Sequence, residues 1–222
     1  LNTPEATLEH VKLIGLLELT AETLQAADFG LQLAKIQGIS VLGPVALMAQ
    51  HAATVGQALE AVQRHFLYHS PGAEVRLGIE PLAGTTQPFA CLRYELHLPA
   101  GTADRQNTEL VYAIAIDFLP MASNQPSTDW QIHFAHAAGL SKRQYRQRLG
   151  CKVRLDQPFN ALYFPAEILS VPIDVADPVL VFTAERFVWQ VVRRHPLDIA
   201  MQVETLLIRQ LTGSTVTLPR IA

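Results

Sequence analysis

The chain has 222 residues, of which 49% are apolar and 17% charged, with a net charge of −3 at pH 7. That is chain enough for one large domain or two small ones, and too apolar for a disordered segment. The acidic balance excludes a general nucleic-acid binder, which needs a concentrated basic surface. Two cysteines, Cys91 and Cys151, are too few for a disulfide framework. The longest uncharged apolar runs, such as Val188 to Val192, are too short to cross a bilayer. No charged stretch near Leu1 leads into an apolar run, so no signal peptide is read. A reduced, cytoplasmic protein without membrane contact is expected.

In chain order, the first third reads as helices. Thr7 is placed to cap a short helix carrying Val11, Ile14 and Leu17, and a second is expected from about Ala21 to Gln37, with Gly38 just past its end. A third begins near Pro44. Thr54 reads as the cap of a fourth, whose stripe is Val55, Ala58, Leu59, Val62 and Phe66. The period changes at Ser70-Pro71-Gly72. Val75, Leu77 and Ile79 alternate with polar residues, as do Leu92, Tyr94 and Leu96, and these two strands are expected to form an antiparallel hairpin. A helix from Asn107 or Thr108 to Met121 is apolar nearly all round, which predicts a central position.

Trp130 to His136 reads as a third strand. Ser141 and Gln144 match a capping box opening a basic helix that ends at Gly150. Two short strands, Lys152 to Asp156 and Asn160 to Phe164, are expected to pair as a second hairpin. Asp177-Pro178 opens a helix ending near Arg194, and Asp198 opens a last one to about Leu211. The pattern predicts an α+β fold: an antiparallel sheet of about five strands packed against several helices, with a C-terminal helical extension.

Motifs for chemistry are absent. There is no phosphate-cradling glycine loop, no nucleophile elbow and no HExxH helix. His133 and His136, three apart on a strand, point to opposite faces and cannot chelate together without a bulge. Cys91 and Cys151 read as small core residues. No catalytic, metal or cofactor residue is assigned. Lys142, Arg143, Arg146, Arg148, Lys152 and Arg154 form one basic cluster, read either as a DNA-backbone contact or, more simply, as a solvated helix face. Strand parity places Tyr94, Trp130 and His136 on the apolar side. Each needs a partner in the core or faces a cavity. With Phe66 they are the candidate ligand-contacting residues.

Several segments, in this order, resemble one family: Phe29-Gly30-Leu31-Gln32-Leu33, Leu42-Gly43-Pro44, Thr54 through Leu59, Phe134-Ala135-His136, Leu149 through Val153, Asn160 through Phe164, and Ala176-Asp177-Pro178. Together they look like the N-terminal effector-binding domain of AraC/XylS-type bacterial transcription regulators, in the subfamily named arabinose-binding-domain-like. Sugar binding does not follow from that name. Val203 through Gly213 and Thr217 through Ala222 are similar to the opening of the family's DNA-binding domain. The resemblance implies an effector domain over 1–177, a relay or dimerisation helix over 178–197 carrying Val188 and Val192, and the start of a helix-turn-helix domain over 198–222. It further implies a small organic effector, DNA contact through a head that continues past Ala222, and a homodimer. Two other readings remain open: a dimerisation module without a ligand, and an enzyme of unrecognised type. A haem or metal sensor using His69 and His136 is a further variant.

Overall fold

The computed structural model describes residues 10–194 apart from 83, 86 and 100, and only the backbone of 191–194. Thr7, the side chain of Val192, the last expected helix and the start of the helix-turn-helix therefore lie outside the described residues.

The helical N-terminal third is built as the stripes require, with one exception. Helix α1 spans His10–Thr23 and α2 spans Phe29–Gln37, so 21–37 is not one helix. The chain breaks at Gln25, whose φ is 52°. That turn releases the Ala27 carbonyl, which accepts from Arg105 Nη1 at 2.8 Å and Gln106 Nε2 at 3.1 Å. Tertiary bonds thus replace helical ones. Gly38 ends α2 with φ 56°, as its place past the last turn demands. A 3₁₀ turn at Ile39–Leu42 leads into α3, Pro44–His51. Helix α4, Val55–His69, is capped by Thr54, whose hydroxyl accepts from Gln57 N at 3.2 Å.

Strands β1 (Ala73–Pro81) and β2 (Pro88–Leu96) form the expected hairpin, in a register pairing Val75 with Tyr94. Helix α5, Arg105–Ser123, lies across the sheet as the central helix. Strand β3 is only Gln131–His133. Beyond it the chain leaves the sheet, with Phe134 N donating to Arg154 O and Gln157 N to Phe134 O. Helix α6, Lys142–Leu149, carries both halves of the Ser141/Gln144 capping box and stops at Gly150, φ 69°.

Strands β4 (Lys152–Arg154) and β5 (Ala161–Pro165) do not form a hairpin. The sheet order is β1-β2-β5-β3-β4, with β3 inserted between them and paired parallel to β4. The reason is the crossover: α6 connects β3 to β4, and a helix crossover returns the chain parallel. The other pairings are antiparallel. Helix α7, Pro178–Arg194, begins where Asp177 Oδ1 accepts from Val179 N at 2.9 Å and Leu180 N at 3.2 Å. The fold is α+β, with seven α-helices and five strands among the described residues.

The two faces of the sheet are unequal. Val75, Ala90, Leu92, Tyr94, Ile132, Leu162 and Phe164 belong to the main core with the helices, whereas Phe89, Cys91, Ala161 and Tyr163 form a small separate cluster behind it. No described helix is long and apolar enough to cross a membrane.

Candidate ligand cavity

Where α1, α2, α4 and α5 meet the β1–β2 half of the sheet, the side chains leave a cavity of about 330 Å³. That is within the range of small-molecule sites, at its lower end. Helix α4 contributes Leu59, Val62, Phe66 and His69, the same stripe that makes it amphipathic. Helix α5 contributes Asn107, Leu110, Ile114 and Phe118, the sheet contributes Val75, Leu92 and Tyr94, and α1 contributes His10, Leu13 and Leu17. The wall is therefore mostly aliphatic and aromatic.

Its polar groups fall into two sets. In the interior, Asn107 Nδ2 donates to the Tyr94 hydroxyl at 2.9 Å, Tyr94 N donates to the Tyr112 hydroxyl at 3.0 Å, and that hydroxyl donates to Leu92 O at 3.4 Å. Burial pushes both phenols well above their ordinary pKa, so both keep their protons. The second set is His10, His69 and Ser70. His10 Nε2 lies 3.2 Å from Ser70 Oγ. Burial lowers the pKa of both imidazoles, and His69 is lowered further by His10. Phe66 bridges the two sets: its ring meets Tyr94 edge-on at 5.9 Å and His69 at 5.6 Å. Arg93 touches the cavity, but its guanidinium lies over Phe159 and bonds Glu80 on the far face of the sheet.

Phe66 and Tyr94 thus lie together on the wall. Trp130 and His136 do not. Trp130 is fully buried and packs on Phe164 at 5.3 Å, in the β3–β5 half of the sheet. His136 stacks on Phe134 at 4.7 Å and places Nε2 3.7 Å from Glu109 Oε1. Trp130 is in the main core as parity expects, but strand order put β3 on the other side of β5 from β2, and His136 lies past the end of β3, outside the sheet. Val188 is buried against this chain's own core.

Sequence reasoning missed the first turn of α5, where Gln106, Asn107, Thr108 and Glu109 are all buried. Gln106 Oε1 accepts from Gly30 N at 2.7 Å. Glu109 Oε1 accepts from the Tyr145 hydroxyl at 2.6 Å and from Arg105 Nη1 at 3.2 Å. Burial nevertheless raises the Glu109 pKa, and the Tyr145 phenol is pushed up to about 12 by burial and then by Glu109. Gln106 and Glu109 fasten α5 to the turn before α2 and to α6, away from the cavity that Asn107 lines.

Other chemistry-bearing residues are dispersed. Both cysteines are buried and their thiols raised, Cys151 to about 12, so neither is a ready nucleophile. No group of three His, Cys, Asp or Glu side chains with metal-site geometry occurs among the described residues. In the basic cluster, Arg148 is paired with Asp28. His133 stacks on Tyr163, behind the sheet and away from His136.

Residues 1–173 match the family model described as the arabinose-binding domain of AraC transcription regulators, N-terminal. The chain belongs to that family. It is 31% identical over 174 residues to the HTH-type transcriptional regulator VirS of two Mycobacterium tuberculosis strains. The match covers 78% of this chain and 50% of VirS, so the chain spans about half the length of those relatives. A solved structure, the transcriptional regulator CdpR of Pseudomonas aeruginosa, shares the fold with a TM-score of 0.55 at 16% identity, over 87% of this chain and 62% of that one. The arabinose-binding-domain family is one of transcription-regulator domains, not of enzymes. The cavity between α4, α5 and the hairpin therefore sits in a regulatory domain of the AraC type.

Proposed function

We propose that this domain senses a small organic effector in the cavity and passes its occupancy to a DNA-binding head in a longer cytoplasmic protein. The observation that carries this reading is the cavity itself, an apolar space with a few placed polar groups. Its one Ser–His contact, Ser70 with His10, lacks the third group that would orient the imidazole as a base, because His10 Nδ1 has no partner among the described residues. Helix α4 has two faces. Leu59, Val62 and Phe66 line the cavity, while His65, the neighbour of Phe66, is buried on the other side, with Nε2 3.8 Å from Glu185 of α7. Val188 of α7 belongs to the same buried core. Helices α4 and α7 both pack on α3, so a ligand that repositions α4 biases α7, the element that leads toward the head, chiefly through α3. Such coupling needs contacts that differ between the empty and filled states, and α4 supplies them.

The same helix is the proposed dimer contact, through its outward side chains and not through Val188. Phe182, Phe187 and Trp189 are about half exposed. Phe187→Glu combined with Trp189→Glu is expected to turn a dimer into a monomer in sedimentation. An unchanged dimer would remove α7 from the interface.

The effector reading is tested by thermal denaturation across a metabolite panel. A ligand at a hundredfold excess over its Kd adds about 2.7 kcal/mol, or about 5–10 °C in Tm for a domain this size. Ala115→Phe, which fills the cavity from α5, is expected to fold and to abolish the shift. Equal shifts in both proteins would place binding elsewhere.

A further inference from the structure

The chemistry of the cavity wall is one-sided. No aspartate or glutamate lines it among the described residues. The one arginine that touches it turns its charge to the other face, where Glu80 binds it at 2.7 Å. An ammonium ligand would bury its charge without a counter-ion, which is strongly unfavourable. The polar side chains present are donors, or both donor and acceptor. The Tyr94 hydroxyl accepts from Asn107, and no acceptor for its own proton is present among the described residues. His10 Nδ1 is buried without a partner. His10 stands near enough to His69 to disfavour charge on it, and no carboxylate among the described wall residues offsets this. Next to them, Ser70 offers a hydroxyl already bonded to His10. Gln37 is the remaining polar side chain on the wall, which is otherwise apolar and includes Leu110, Ile114 and Phe118.

We propose that the effector is a monocarboxylic acid with an apolar body, its carboxylate held by His10, His69 and Ser70 and its body lying along Phe66 toward α5. This rests on the effector reading above and adds to it the class of ligand and the end at which it is held. A carboxylate arriving beside the pair favours its protonation, against the lowering by burial, and charge-assisted hydrogen bonds from imidazolium to carboxylate are the stronger kind. The hydrocarbon body gains the burial energy that an apolar wall offers.

The test compares three probes with the same eight-carbon body, octanoate, 1-octanol and octylamine, by calorimetric titration of the full 222-residue chain. Octanoate is expected to bind at least tenfold more tightly than either of the others. His69→Gln, at the exposed rim, and His10→Gln are each expected to weaken octanoate about tenfold and to leave 1-octanol unchanged. His69 is exposed and its one ring contact in the cavity is with Phe66, so His69→Gln remains informative if His10→Gln folds poorly. Octanol or octylamine binding as tightly as octanoate would overturn the carboxylate assignment. If that binding were still lost in Ala115→Phe, the effector cavity would stand while the ligand class fell. Octanoate binding that ignores both histidine substitutions, or no octanoate binding at all, would overturn the assignment as well. A panel metabolite of another class that shifts wild type but not Ala115→Phe would then leave the effector reading intact.

Discussion

Replacing Gly30 with valine is expected to destabilise the domain by about 4 kcal/mol, a fall of about 10 °C in Tm. A Cβ at Gly30 would stand 2.1 Å from the Gln106 carbonyl oxygen and 2.9 Å from its carbon. Both are backbone atoms of α5, and no rotamer change relieves them. Helix α2 would have to lift away from α5, and the 2.7 Å bond from Gly30 N to Gln106 Oε1 would lengthen with it. Overpacking alone costs about 1–3 kcal/mol, and an orphaned buried donor adds about 1–3 more. Gly15→Ala is the control: nothing lies within 4 Å of a Cβ there, so alanine in α1 is expected to be neutral or stabilising. Urea denaturation of both variants checks this. A Gly30→Val protein within 1 kcal/mol of wild type would show that the two helices are not in the close contact described.

Glu109→Ala is expected to cost about 3–5 kcal/mol, because it leaves Arg105 and the buried Tyr145 hydroxyl without their acceptor. Glu109→Gln, which keeps an oxygen in place, is expected to cost only about 1–2 kcal/mol at neutral pH. The pH dependence separates charge from hydrogen bonding. Burial raises the Glu109 pKa in the folded chain. The folded state therefore holds this proton more tightly than the unfolded state. The stability from this group is present in full below the unfolded value of about 4.3 and is lost as pH rises through the folded pKa. Glu109→Gln has no such term. The advantage of wild type over Glu109→Gln is expected to widen between pH 7.5 and pH 4.5. A narrowing gap would mean that the pairing with Arg105 outweighs burial.

How much of this was legible in the sequence depended on whether the signal was local. The α4 stripe, its Thr54 cap, the capping box of α6 and the Asp177 cap are short-range patterns, and each reads off neighbouring residues. The break at Gln25 is not local. It exists because the Ala27 carbonyl bonds side chains about 80 positions away. Gly30 gives no local sign that it is where α2 runs against the α5 backbone at Gln106. The burial of the polar run Gln106 to Glu109 was not legible, because nothing in a single sequence distinguishes a buried polar turn from an exposed one. Alternation placed Trp130 on the core face, but position within the sheet depends on strand order, and insertion of β3 between β5 and β4 put it away from the cavity. Alternation failed for His136 because β3 ends at His133. The cavity itself is a gap among side chains that are individually ordinary core residues, so periodicity carries no trace of it.

Occupancy of the cavity can be read most directly with methyl-labelled protein. A panel compound that raises Tm is titrated while the methyl resonances of Leu59, Val62, Leu110 and Ile114 are followed against those of Leu82 and Ala161 behind the sheet. The expected result is a saturable shift confined to the first group, extending to Val188 of α7 as the site fills. Shifts at Leu82 and Ala161 with none at Leu59 and Val62, or binding that leaves every cavity methyl unmoved, would contradict a sensing role for this space.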